Sequence, residues 1–315
     1  DKMNLKAIVG MPENLFKTSG KGGTHTKTCL LVAVKKPNSL KEKSFFMAEA
    51  KWCGHDSRGN YIPKNDLPKT LENFLHKNYK ELNKDNLGYY VNENDVISNI
   101  LAPRYYNPES RNEMKKLRET HDLLCLGDLV NEGVIKIETG DEVGKLAYGT
   151  GETPFVRTSD ISNWEIKTDP KHCVSEEIYK QYSKKQDVQE GDILMVKDGT
   201  YLIGTCAFVS KYDTKIIYQS HLYKIRVNDK TIISPYLLLA GLSSKPVVKQ
   251  IQSKRFTQDI IDSLGKRINE LVIPLPKDKN KRDKIEKMVK NSIYDRIEAR
   301  ELARMQRDDS IIFLK

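Results

Sequence analysis

The sequence has no apolar run near the roughly 20 residues that a membrane-spanning helix needs, and its first residues carry no signal-peptide pattern. Cysteine is scarce and scattered. The five, Cys29, Cys53, Cys125, Cys173 and Cys206, form no Cys-x-x-Cys pair. That argues against a disulfide framework and for idle thiols in a reducing cytoplasm. Six histidines make no His-x-x-x-His or His-Glu-x-x-His pattern, so no metal site is expected. A phosphate loop is missing too. Gly20-Lys21-Gly22-Gly23 comes nearest, but Leu15 stands where the first glycine belongs and Gly22 where a hydroxyl residue belongs. Ser220-His221 lacks the marked partners of a hydrolytic triad. Glu49-Ala50-Lys51 matches the Glu-x-Lys part of a metal nuclease, with no companion Asp on a clear strand.

The 315 residues suffice for two domains. Charged residues make up 30% and hydrophobic ones 38%, which suits a globular protein. The net charge of +10 favours a polyanionic partner, because neutralised phosphates release counterions. The chain starts at Asp1-Lys2-Met3 and enters a strand-like run almost at once, as expected of a fragment of a longer protein.

Leu5 to Gly10 and Thr26 to Val34 read as two neighbouring strands at a sheet edge, joined by a glycine-rich loop. Trp52 to Asn60 reads as a turn-rich loop in which Asp56 bonds its own backbone. Asp66 is the expected cap of a helix with Pro68 in its first turn, and Leu67, Leu71, Phe74, Leu75, Tyr79 and Leu82 are its expected core stripe. Asn107-Pro108 reads as a turn. Gly140 to Glu152 reads as a long flexible loop. Glu190 to Val227 holds three apolar runs, with Asp198-Gly199 as a turn signal, and reads as an antiparallel meander. The polar tract from Val174 to Gln189 reads as an exposed helix. Ser234-Pro235 caps and opens a buried helix, and Pro246 starts another. Beyond Pro276, Ile285, Val289, Ile293 and Ile297 fall at steps of four, one narrow apolar seam on a charged helix.

Four stretches in order carry a resemblance. They are Pro154 to Ile161, Glu190 to Val227, Ser234 to Leu239, and Ile268 to Pro276. The succession, over roughly residues 121 to 305, resembles the target recognition domain of type I restriction-modification specificity subunits. Ahead of it, Gly10-Met11-Pro12-Glu13-Asn14-Leu15-Phe16, a glycine-rich loop and Thr26 to Val32 are similar to the late part of γ-class DNA adenine-N6 methyltransferases. The combined resemblance implies the recognition part of a fused adenine methyltransferase. The alternative is a non-enzymatic scaffold whose basic surface binds nucleic acid or protein.

The fold class expected is α/β and α+β. Residues 1–84 would be the tail of a Rossmann-like methyltransferase domain and 85–120 a linker. Residues 121–276 would be a mixed α/β recognition domain, and 277–315 a helical arm. The resemblance implies that Phe16 stacks against a flipped-out base, whose lost stacking an aromatic face restores. Arg157, Thr158, Ser159, Lys197, Lys254 and Arg255 are the expected DNA contacts. No residue is assigned to catalysis or to a metal. The Asn-Pro-Pro-aromatic motif of adenine methyltransferases is absent, since Glu109 and Ser110 follow Asn107-Pro108. Asp141 to Gly144 and Gly149 to Gly151 lack the preceding strand and following helix of a methyl-donor site. S-adenosylmethionine is therefore expected in the parent enzyme and not in this chain. The expected partners are duplex DNA, the remaining methyltransferase part, and a restriction subunit or second copy docking on the final helix.

Overall fold

The computed structural model describes residues 3–18, 27–35, 43–76, 87–167, 169–199, 201–258 and 261–313. The loop at 20–23, the residues Thr26, Tyr79 and Leu82, and most of the boundary expected at 83–88 lie outside them. The chain forms two compact units, Asp1–Glu113 and Met114–Lys315.

The first unit contains β1 (Met3–Gly10), β2 (Cys29–Lys35), β3 (Ser44–Glu49), β4 (Cys53–His55), β5 (Tyr61–Asn65), α1 (Leu67–Leu75) and β6 (Tyr89–Asn92). One sheet runs in the order β2-β1-β3-β6. β2 is antiparallel to β1 at the edge, as expected, while β3 runs parallel to β1. Ala7, Ile8, Phe46, Met47 and Ala48 are buried, and the Phe46 ring meets Phe74 and Tyr90 edge-on at 5.5 and 5.6 Å. β6 pairs with β3, so part of the span expected as a linker is a strand of this sheet. The division falls instead inside α2 (Pro108–Leu117), where Asn107 Oδ1 accepts the Glu109 amide at 2.9 Å and starts a helix in place of the expected turn.

Two further expectations fail around α1. Asp66 makes no side-chain cap, because its Oδ2 accepts the amides of Lys51 (2.8 Å) and Trp52 (3.1 Å). Leu71 and Leu75 are exposed, and the helix buries Thr70 and Asn73. The Asp56 turn forms as read: its Oδ1 accepts the Arg58 and Asn60 amides at 2.7 and 2.9 Å. Those hydrogen bonds, with one from the Asn60 side chain, hold its carboxyl below the usual range.

The second unit opens with β7 (His121–Cys125), α3 (Leu126–Asn131), β8 (Ile135–Thr139), β9 (Thr153–Val156), β10 (Ile161–Ser162), β11 (Glu165–Ile166) and β12 (Cys173–Val174). It continues through α4 (Glu176–Gln186), β13 (Ile193–Val196), β14 (Cys206–Phe208), β15 (Ile217–Tyr218), β16 (Leu222–Val227), α5 (Pro235–Leu242) and α6 (Lys245–Lys254). It closes with β17 (Phe256–Gln258), β18 (Ile261–Ser263), β19 (Val272–Pro276) and α7 (Lys279–Phe313). The main sheet has the order β14-β13-β16-β8 and a second has the order β12-β9-β15.

The main sheet is no meander. β13 lies between β14 and β16, because the chain leaves after β14 to place β15 beside β9 and then returns to the far edge of β13. The run Ile193-Leu194-Met195-Val196 explains the central position. Alternate strand residues face opposite sides. Ile193 and Met195 enter the cluster under α3, α5, α6 and α7, while Leu194 and Val196 enter a second cluster with Val156, Ile161, Ile166 and Tyr218. Ser234 Oγ accepts the Leu237 amide at 3.2 Å, and Leu238, Leu239 and Leu242 are fully buried, so the cap and helix of α5 form as read.

The seam of α7 does its packing at home. Val289, Ile293 and Ile297 join the core of this unit with Ile285 beside them. Arg296 pairs with Glu165 at 2.6 Å, Arg300 with Asp213 at 3.0 Å, and Arg307 with Asp169 at 2.6 Å. The seam expected to meet a partner is thus covered within the chain. Among the described residues no helix is long and apolar enough to cross a membrane.

Candidate nucleic-acid interface

Five strands of the second unit bring one end to the same place. β9 and β15 are parallel, so Arg157 and Gln219 follow them side by side, and the Gln219 amide donates to Val156 O at 2.9 Å. β16 starts three residues later, opposite the last residue of β13, and the Lys197 amide donates to His221 O at 2.9 Å. β8 ends against the same strand, and the Gly140 amide donates to Leu222 O at 3.3 Å. A Cβ on Gly140 would stand 2.2 Å from Tyr218 O, so only glycine lets the chain pass here.

Two polar networks cross these ends. Arg157 Nε donates to Gln219 Oε1 at 3.3 Å, and Gln219 Nε2 donates to Glu142 Oε2 at 3.3 Å. Ser220 Oγ donates to Glu142 Oε1. His221 Nδ1 lies 2.9 Å from Asp198 Oδ2, and Lys197 Nζ lies 3.3 Å from the same oxygen. Gln219 is buried, Asp198 and Lys197 are largely covered, and Glu142 and His221 are open to solvent. The hairpin of β17 and β18 is fastened alongside: the Gly199 amide donates to Asp262 O at 3.0 Å and the Leu264 amide to Lys197 O at 3.1 Å. Two bulky apolar side chains project from neighbouring loops, Leu146 at 98% and Tyr201 at 93% exposure.

The loop of residues 140–152, expected to be flexible, is fastened along its length. Ala147 is buried with Phe155, Val174 and Ile217, and the Gly149 amide donates to Cys173 O at 2.8 Å. Gly140 and Gly151 serve close backbone approach: a Cβ on Gly151 would stand 2.6 Å from Val174 O. The aromatic residues of α4 also point inward, with Tyr179 and Tyr182 packed against that same cluster.

Of the residues singled out in the sequence, Arg157 and Lys197 stand at the ends of two polar networks that meet at Ser220-His221. Thr158 and Ser159 sit on the 3-10 turn after Arg157, where Asp160 is buried and its Oδ2 accepts the Arg157 amide at 2.9 Å. Lys254 ends α6 and pairs with Glu270 at 2.7 Å, and Arg255 pairs with Asp262 of β18 at 3.4 Å. The expected basic loop at 253–258 is therefore a helix end followed by a strand. Phe16 is in the first unit, half exposed on the turn of residues 13–18. Glu142, Asp198, Gln219 and His221 were not among the expected DNA contacts. Their signal is positional, since each falls within three residues of a strand end.

Residues 127–306, which hold every part of this face, match the family described as Type I restriction modification DNA specificity domain. The chain belongs to that family. Recognition of DNA sequence is the function of this specificity domain, and the alternative of a non-enzymatic scaffold whose basic surface binds nucleic acid or protein is not favoured. Solved structures give more distant matches. The type I restriction-modification S subunit from M. genitalium matches 60% of this chain and 44% of its own, with 15% identity and a TM-score of 0.40. The HsdS subunit from Thermoanaerobacter tengcongensis matches 62% of this chain and 45% of its own, with 17% identity and a TM-score of 0.36. A chain from a study of complex assembly and conformational transition of the type I R-M system matches 73% of this one and 59% of its own, with 13% identity and a TM-score of 0.36. The specificity-domain chain thus spans less than two thirds of these structures. No curated protein matches it.

Proposed function

We propose that the specificity domain reads duplex DNA with the face built from the ends of β8, β9, β13, β15 and β16. The observation that carries this is the meeting of the Arg157 and Lys197 networks at Ser220-His221. It places cations at both ends and hydrogen-bonding side chains between them, on loops held by a buried sheet. Cations suit phosphates and fix register, while the groups between suit base edges, which carry sequence. Thr158, Ser159, Lys254 and Arg255 supply further backbone contacts. The test is selection from random duplex DNA at two salt concentrations. A short motif that survives the higher salt supports sequence readout. Uniform binding that vanishes with salt overturns it.

The sequence resemblance of residues 10–32 carries a wider reading, in which the parent would be a fused adenine-N6 methyltransferase of a restriction-modification system. Residues 1–84 would be the tail of its Rossmann-like catalytic domain, and Phe16 would stack on the flipped base. The residues here do not fit a methyl-donor site. In the loop of residues 140–152, Glu142 is engaged by Gln219 and Ser220, and Gly149 is bonded to Cys173. The chain alone is expected to transfer no methyl group to DNA in an assay with labelled S-adenosylmethionine. Its partners would be the remaining methyltransferase part and a restriction subunit or second copy, and its place the cytoplasm.

A further inference from the structure

We propose that His221 is a specificity-determining residue that accepts a hydrogen bond from the exocyclic amine of one base, with Asp198 as its positioning residue. The inference rests on the DNA-reading face proposed above and names what one position on it does.

Three observations converge on His221. The first is its hold. Nδ1 lies 2.9 Å from Asp198 Oδ2, so the Nδ1 hydrogen points at the carboxylate and the ring is fixed in plane and in tautomer. The second is the free edge. Nε2 stands 4.0 Å from Glu142 Oε1, too far for a hydrogen bond, and the side chain keeps 37% of its exposure. With Nδ1 protonated, a neutral imidazole offers Nε2 as an acceptor. The third is Asp198 itself. Only 12% of its side chain is exposed, and its Oδ1 is buried without a hydrogen-bond partner. A half-satisfied buried carboxylate is a poor choice for stability, and holding the imidazole gives it a purpose.

The charged groups around the ring fix what it can meet. Asp198 faces it from the β13–β14 connection, with Lys197 paired to that carboxylate, and Glu142 faces it from the loop after β8. Behind Asp198, the β17–β18 hairpin presents Asp262, which is already paired with Arg255. Phosphate is unwelcome beside two carboxylates. The amines of adenine N6 and cytosine N4 in the major groove are donors and suit an acceptor-rich patch. Lys197 and Arg157 flank it at the two sides where backbone phosphates would pass.

The test is random-duplex selection on the whole chain, comparing wild type with H221A, H221Q and D198N, and with R157A as a control for phosphate contact. Thermal unfolding confirms that each variant folds. The expected result is loss of base preference at one motif position in H221A, a position at which wild type selects adenine or cytosine on the contacted strand. Gln, which also carries an acceptor, should restore part of it. D198N should weaken preference at that same position and leave the salt dependence of binding unchanged. R157A should lower affinity for every sequence alike. A wild-type chain that yields no motif overturns the reading face itself. A wild-type motif that H221A leaves intact at every position, or a selected guanine or thymine there, overturns the role of His221 alone.

Discussion

β13 and β16 end in a polar network at both ends, and the two networks differ in every respect that matters. At one end lie Lys197, Asp198, His221 and Glu142, partly open and with unused hydrogen-bonding capacity. At the other, Arg226 holds Asp192 with two bonds of 2.7 Å, the Asp187 carboxylate with one of 2.6 Å, and the Asp187 carbonyl with another. Beside it, the fully buried Lys224 bonds the Gln186 carbonyl, the Asp187 carbonyl at 3.1 Å and Glu138 at 3.2 Å. Those carbonyls are the last of α4, which a helix leaves unbonded and which attract cations. The closed network satisfies its charges internally and ties helix to sheet. The open one keeps groups available, at some cost in stability.

Lys224→Ala should do most harm. It leaves the Gln186 carbonyl without its buried donor, while Glu138 keeps Lys136 and the Asp187 carbonyl keeps Arg226. An unsatisfied buried carbonyl costs about 1–3 kcal/mol, and the cavity left by the buried stem adds to it. Urea unfolding measures this, and a loss below 1 kcal/mol would remove the distinction between the two ends. Gly140→Ala should cost about 2–3 kcal/mol, since the new methyl meets backbone that a packed core holds still. This variant should also blur the selected motif, because Glu142 is carried two residues on. Lys197→Ala should reduce the salt slope of DNA binding by about one phosphate contact. An unchanged slope would place Lys197 away from the backbone.

The smallest effect is set by pH. Burial pushes the Glu138 carboxyl up, but hydrogen bonds from Lys136 and Lys224 outweigh it and hold it below the usual range. Hydrogen bonds from Arg226 and Gln189 hold Asp187 below it as well. A carboxylate lowered by folding stabilises above its ordinary value, and that contribution is lost as pH falls through the folded one. The closed end should thus hold through mild acid and loosen only as pH falls below the ordinary carboxylate range. Amide exchange at residues 186–192 against pH would show protection kept down to that range, and protection lost well above it would contradict the network's role.

The elements with a local physical cause were legible from residues alone. Ser234-Pro235 made its helix, the four-residue seam on α7 found the core, and Asp56 closed its turn. The pairing of β13 was not legible, because three apolar runs fit a meander as well as a sheet that detours through β15. Leu71 and Leu75 misled, since periodicity marks a face without saying whether anything covers it. The candidate site was half visible. Arg157 and Lys197 stood out as cations beside strands, whereas Glu142 and His221 gain meaning only when β8 and β16 meet end to end. Gly140 to Glu152 was read as mobility, whereas Gly140 and Gly151 are there for clearance.

The two-sided burial of β13 also bears on how this protein could be rewritten. Because Ile193 and Met195 enter one cluster and Leu194 and Val196 the other, a slip of a single residue would exchange the two cores at once. The strand is therefore a frame lock. Loops beyond its end could be lengthened, shortened or exchanged in blocks while the lock keeps every graft in the same orientation, and on the proposed reading face a change of target would then be written into the loops without rewriting the scaffold.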